Sequence, residues 1–212
     1  MAYLLKNPTK VLLAMQQHLV ITLVALLLAV AIALPLGIFL ARRPRVYGPV
    51  MSVLSVLYTI PSVSLLVLLI PVMGLGFWPT IVALVVYCQA ILVRNVVVGI
   101  RSVDAAVLEA ARGMGLSVWQ ITWQVELPLA LPIILAGVRI AAISTIAIAT
   151  VAAFFDAGGL GALIREGISQ DYSDKIWAGV LAVAFLAILF EQSLRLVTRR
   201  LRHETDGSQR IV

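Results

Sequence analysis

Leu19 to Ala41 is an unbroken apolar run, and nothing else in the chain constrains its fold as strongly. As a helix rising 1.5 Å per residue it reaches roughly 33 Å, the thickness of a bilayer's hydrocarbon layer. Backbone placed in hydrocarbon must satisfy its own N–H and C=O groups, so a run of this length reads as a spanning helix. Four more stretches share its character, at about 49–72, 81–98, 129–153 and 176–197. The sequence therefore predicts an all-α integral membrane fold of five spans occupying residues 19–198. Residues 1–18 mix Lys6, Lys10, Gln16 and Gln17 with leucines, and predict an interfacial segment with a short helix after Pro8. Ala31-Ile32-Ala33 has the form of a signal-peptidase site, but the apolar run around it is too long for a signal core.

Composition sharpens what this excludes. Hydrophobic residues make up 62% and charged residues 12%, where soluble domains carry roughly 25% charge. The chain is long enough for one bundle, not for a bundle and a nucleotide-binding domain. It holds no Gly-x-x-x-x-Gly-Lys-Ser/Thr loop, and Gly159-Leu160-Gly161 is only a fragment of a dinucleotide fingerprint. His18 and His203 lack ligand-like neighbours, so no metal site is expected, and Cys88 is the only cysteine. No nucleophile–base set is present, so no chemistry of its own and no enzyme activity are expected. The net charge is +6, but the basic residues sit between apolar runs, which fits membrane orientation rather than nucleic-acid binding. Arg42, Arg43, Arg45, Arg101, Arg112, Arg199, Arg200, Arg202 and Arg210 fall on one side of the five spans. Lys6, Lys10, Arg165 and Lys175 fall on the other, which predicts an external N-terminus and a cytoplasmic C-terminal tail at 199–212.

Several polar residues interrupt the spans. In the second, Pro61 cannot donate to the carbonyl of Leu57, and a kink is expected there. Tyr58, Thr59, Ser62 and Ser64 flank it and could line a pathway or gate, or the kink could be structural. Gln89 in the third span reads as an inter-helix hydrogen-bonding residue, and Arg94 as a side chain that snorkels to the interface. Arg139 in the fourth must face protein or water, with Glu191 of the fifth as a candidate partner. Met73 to Thr80 reads as an external turn. Between Phe154 and Lys175, Gly158, Gly159 and Gly161 predict a tight turn or close backbone contact, followed by a short helix over Ala162–Ile168.

The stretch 104–128 is different: charged, amphipathic and short of membrane length. Asp104 is placed to N-cap one helix. Gly113 and Gly115 tolerate φ > 0 and can end it. Ser117 and Gln120 have capping-box spacing for a second helix, which Pro128 is expected to break. Val107, Leu108 and Ala111 share one helical face, with Glu109 and Arg112 beside it.

The order Glu109-Ala110-Ala111-Arg112, Gly115, Val125 and Leu127-Pro128 resembles the cytoplasmic coupling motif of ABC importer permeases, with Val125 where that family usually has Ile. The likeness covers about residues 15–200. It implies a type I permease with cytoplasmic coupling helices, in the bacterial inner membrane. It implies two ABC ATPase subunits that bind ATP and Mg, a second permease subunit and an external substrate-binding protein as partners. Tyr58-Thr59-Ile60-Pro61-Ser62, Leu69-Ile70-Pro71-Val72-Met73-Gly74-Leu75-Gly76 and Ala157-Gly158-Gly159-Leu160-Gly161 look like the osmoprotectant branch, which carries glycine betaine, carnitine or choline. The last stretch also resembles methionine permeases, so an amino-acid importer is the alternative. A non-transporting membrane scaffold is the alternative from another class.

Overall fold

Ten helices follow one another in the computed structural model, which describes the backbone of residues 2–208 and the side chains of residues 3–196. They are α1 (Ala2–Lys6), α2 (Pro8–Ala41), α3 (Pro44–Thr59), α4 (Ser62–Met73), α5 (Phe77–Arg101), α6 (Ala105–Gly113), α7 (Val118–Ile121), α8 (Leu127–Ala152), α9 (Leu160–Ser169) and α10 (Ser173–Ser208). The side chains of the expected tail at 199–212, with its arginines, lie outside the described residues. Four helical stretches are long and apolar enough to cross a membrane, Pro8–Ala41, Phe77–Arg101, Val118–Phe155 and Ser173–Leu196. A fifth arises if α3 and α4 together make one bent span. Large apolar side chains such as Leu27, Leu68 and Phe185 are exposed on the outer faces, as a lipid solvent allows.

α5 sits at the centre, packed against α2 on one side and α8 on the other. Its buried residues, from Ile81 through Leu84, Cys88, Leu92 and Val96 to Ile100, recur at helical spacing. Small residues let the axes approach: a Cβ added at Gly137 of α8 would lie 2.5 Å from Asn95 Cβ of α5. Gln89 donates to the carbonyl of Ala29 at 3.2 Å and so joins α5 to α2.

Four expectations change. First, residues 8–18 are not a separate interfacial helix but the opening turns of α2. The buried stripe Val11, Ala14, His18, Ile21 and Ala25 continues one face without interruption. Both Gln17 and the buried His18 meet distant backbone: His18 Nε2 donates to the Ile146 carbonyl at 3.2 Å, and Gln17 Oε1 accepts from Gly159 N at 3.2 Å.

Second, the span predicted at 49–72 is two helices bent by 94°. Ile60, which precedes proline, is driven out of the α region to φ −62°, ψ 127°. Pro61 follows at ψ 135°. Two extended residues in succession turn a kink into a corner.

Third, Pro128 does not break the chain. Thr122–Glu126 forms a π turn in which the N–H of Leu127 reaches the Thr122 carbonyl. That register change falls just before the residue that has no N–H to give, and the helix runs on into α8. Fourth, Gly113 ends α6 in helical conformation, and the positive φ belongs to Gly115 alone, at +81°. α5 and α10 are longer than expected at both ends, α8 starts two residues earlier than expected and ends one earlier, and α9 starts two residues earlier than its sequence reading, with Gly161 inside it.

Candidate coupling surface and translocation face

Two surfaces carry the residues singled out above. On the first, Asp104 caps α6 by accepting from Ala106 N at 2.9 Å. Met114 continues the turn, Gly115 N bonds to Arg112 O at 2.9 Å and Leu116 N bonds to Ala111 O at 3.2 Å. This is a Schellman closure, and it requires the left-handed backbone that glycine adopts freely. Ser117 and Gln120 then form a reciprocal capping box at the start of α7. Glu109, Ala110, Arg112 and Gly115 are exposed, while Ala111 is buried. Leu127 belongs elsewhere: it leans on the cluster of Val96, Ile100, Ala130 and Ile134 inside the bundle. The motif thus spans from an exposed helix to the bundle core.

One connection at this end escaped the sequence reading. Arg42, at the end of α2, bonds to Glu126 Oε2 at 2.7 Å and to Thr122 Oγ1. Glu126 is buried, so the pair is not an idle surface contact. It clamps α2 to the π turn that joins the exposed helices to α8. The available signal was the spacing of Thr122 and Glu126, which puts both on one helical face. Arg101 makes a parallel clamp, donating to the carbonyls of Leu40 and Ala41 at 3.1 Å each and lying 4.8 Å above the Tyr47 ring. Its charge meets the negative end of α2.

The second surface lies at the corner between α3 and α4. The Ile60 carbonyl, freed by the corner, accepts from the Tyr87 hydroxyl, and Thr59 Oγ1 donates to the Val56 carbonyl at 2.7 Å. Tyr58 stacks edge-on to Tyr87 with centroids 5.8 Å apart. Tyr58 and Thr59 line a cavity of about 420 Å³ together with Ser55, Arg94 and Asn95. Pro61 belongs to the corner itself and Ser62 and Ser64 lie past it, and none of the three lines the cavity. Arg94, read from sequence as a snorkelling residue, is on its wall.

Deeper in the bundle, Arg139 Nε lies 3.3 Å from Glu191 Oε1 and ties α8 to α10. At the opposite end, Gly158 and Gly159 take φ of +79° and +75° and lead into α9. Gly161 faces the Thr150 carbonyl so closely that no side chain fits between them.

Residues 33–203 match the family model described as the binding-protein-dependent transport system inner membrane component. The chain belongs to this family. Its membrane helices are therefore those of a transport-system component. The carnitine transport permease protein OpuCB of Listeria monocytogenes is 40% identical to this family member over 91% of each chain. The choline transport system permease protein OpuBB of Bacillus subtilis is 36% identical over 99% of this chain and 95% of its own. Among solved structures, the MetNI methionine ABC transporter in an inward-facing conformation matches with a TM-score of 0.79 at 25% identity, covering 88% of this chain and 93% of that one.

Proposed function

We propose that this chain is the permease subunit of an ATP-driven importer for osmoprotectants such as glycine betaine, carnitine or choline. The observation that carries this reading is the 40% identity, over 91% of both chains, to a relative named as a carnitine permease. The bent pair α3–α4 serves as one of five spans, with the N-terminus outside and the C-terminus in the cytoplasm. α6 and α7 then face the cytoplasm, where two ATPase subunits hold ATP and Mg and dock on the Glu109 face. Closure of the ATPases pushes on α6 and α7. The π turn and the Arg42–Glu126 clamp pass that push to α8 and α2, because both are bonded to the same short segment. A second permease copy, identical or paralogous, covers the α3–α4 corner. Polar backbone at membrane depth must face protein or water, and the corner supplies such backbone. An external binding protein delivers the solute.

A methionine-type importer is the second reading, favoured by the fold likeness to a methionine transporter at 25% identity. The permease, its ATPase and its binding protein, reconstituted in proteoliposomes, separate the readings. ATP-dependent uptake of glycine betaine, carnitine or choline is expected, without methionine uptake. Methionine uptake alone would install the second reading. Failure of any Walker-motif ATPase to co-purify would favour a scaffold.

A further inference from the structure

Several cations in and beside the bundle are met by partners among the described residues, and Arg94, which borders a cavity, is not one of them. Arg42 pairs with Glu126, Arg139 with Glu191, Arg165 with Asp156 and Lys175 with Glu166. Arg101 is held by the carbonyls of Leu40 and Ala41. Arg94, on the spanning helix α5, has no carboxylate within ion-pair distance among the described residues. An arginine on a spanning helix is expensive unless something meets it. Its planar fork of donors is shaped for a carboxylate.

The rest of the cavity has complementary chemistry. Tyr58 is 44% exposed, so part of its side chain stays accessible beside the cavity. Its other contacts are fixed by the edge-on Tyr87, whose hydroxyl is anchored on the Ile60 carbonyl. A tyrosine ring face attracts a quaternary ammonium group. Ser55 and Thr59 add hydroxyls, and no acidic side chain lines the space. A cavity of about 420 Å³ is within the range that holds small solutes. Resting on the osmoprotectant reading above, we propose that this cavity is a transit site for zwitterions, in which Arg94 takes the carboxylate and the Tyr58 ring takes the methylated ammonium. Carboxylate-bearing solutes are thereby separated from choline within the permease, after the binding protein has released them.

The test uses the full importer in proteoliposomes, with glycine betaine and choline as the two probes. Arg94→Gln should lower the ratio of glycine betaine to choline uptake by roughly tenfold or more, the loss expected for one charged hydrogen bond. Arg94→Lys, which keeps the charge, should recover most of that ratio. A binding readout independent of turnover accompanies it. Ser55→Cys in a Cys88→Ser background, labelled by a small water-soluble thiol reagent, should be protected by glycine betaine, and Arg94→Gln should remove the protection. This readout decides where choline is not carried. Equal loss of both solutes with protection intact would assign Arg94 to a lipid phosphate or to bundle fit, and would overturn the proposal. Uptake of choline alone by the wild type leaves the osmoprotectant reading standing and removes the carboxylate site. Uptake of none of these solutes removes both.

Discussion

α6 and α9 are both short helices entered or left through a positive-φ glycine, at opposite ends of the bundle, yet they are built in opposite ways. α9 is cemented in place. Leu160 and Leu163 are buried, and a Cβ at Gly167 would lie 2.7 Å from Ile176 Cγ1. The ion pairs Arg165–Asp156 at 2.8 Å and Lys175–Glu166 at 2.5 Å pin its flanks. α6 has one buried residue, Ala111, and its principal neighbour in the chain is the single turn of α7. Nothing lies within 4 Å of a Cβ built at Gly113 or Gly115. A helix so lightly held by its own chain gains little stability from tertiary burial, and isolated helices of this length are marginal. The difference teaches that α9 is finished within the subunit, whereas α6 is left open by its own chain, as the docking role proposed above requires.

The sharpest way to break this comparison is Gly161→Ala. The new methyl would collide with the Thr150 carbonyl and lie 2.7 Å from Ala153 Cβ, and backbone cannot swing aside as a flexible side chain does. Overpacking of this kind costs about 1–3 kcal/mol. The expected outcome is a lowered thermal midpoint of the solubilised complex, poor recovery from membranes and loss of uptake. A variant with the midpoint of the wild type would show that α9 is as loosely held as α6.

Glu109→Lys probes the other end. Glu109 is exposed and has no basic partner among the described residues. Replacing it should change stability by less than about 0.5 kcal/mol. If it pairs with a basic group on the ATPase, charge reversal should cut uptake at least roughly tenfold, since like charges at an interface are strongly unfavourable. Normal membrane levels with lost uptake are expected. Normal uptake would remove the coupling role from this face.

The same contrast explains how much of the molecule was legible from its sequence. Four long apolar helices were legible because apolar length and helical rise are local properties. So were the caps: Asp104 and the Ser117–Gln120 box act on backbone two or three residues away. Arg139–Glu191 could be anticipated because few acids lie at membrane depth to meet an arginine. What could not be read depends on distant backbone. Gln17 and His18 bond to Gly159 and Ile146, far along the chain. The corner at Ile60–Pro61 was placed by its proline, but its 94° depends on how α3 and α4 both pack on α5. Pro128 looked like a breaker because the π turn that absorbs it has no local signature. That Ser55, Tyr58 and Thr59 come to stand beside Arg94 could not be read either, because they lie on another helix.

The smallest effect, and the finest gauge of the contrast, belongs to Ser117→Ala. Ser117 Oγ accepts from Gln120 N at 3.4 Å, and Gln120 Oε1 accepts from Ser117 N at 2.8 Å. Removing the hydroxyl leaves one first-turn N–H of α7 to water, at a cost of about 1 kcal/mol. Because α7 is a single turn, the cap is a large share of what holds it, and the loss stays local. Amides of Val118–Ile121 should exchange faster with solvent, while those of α5 keep their protection and the thermal midpoint barely moves. Uptake should fall only about two- to fivefold, consistent with a loosened relay whose π turn and Arg42–Glu126 clamp are intact. A drop in thermal midpoint as large as that of Gly161→Ala would mean that α7 is part of the cemented bundle. The division between a self-finished end and an end left open by its own chain would then have to be abandoned.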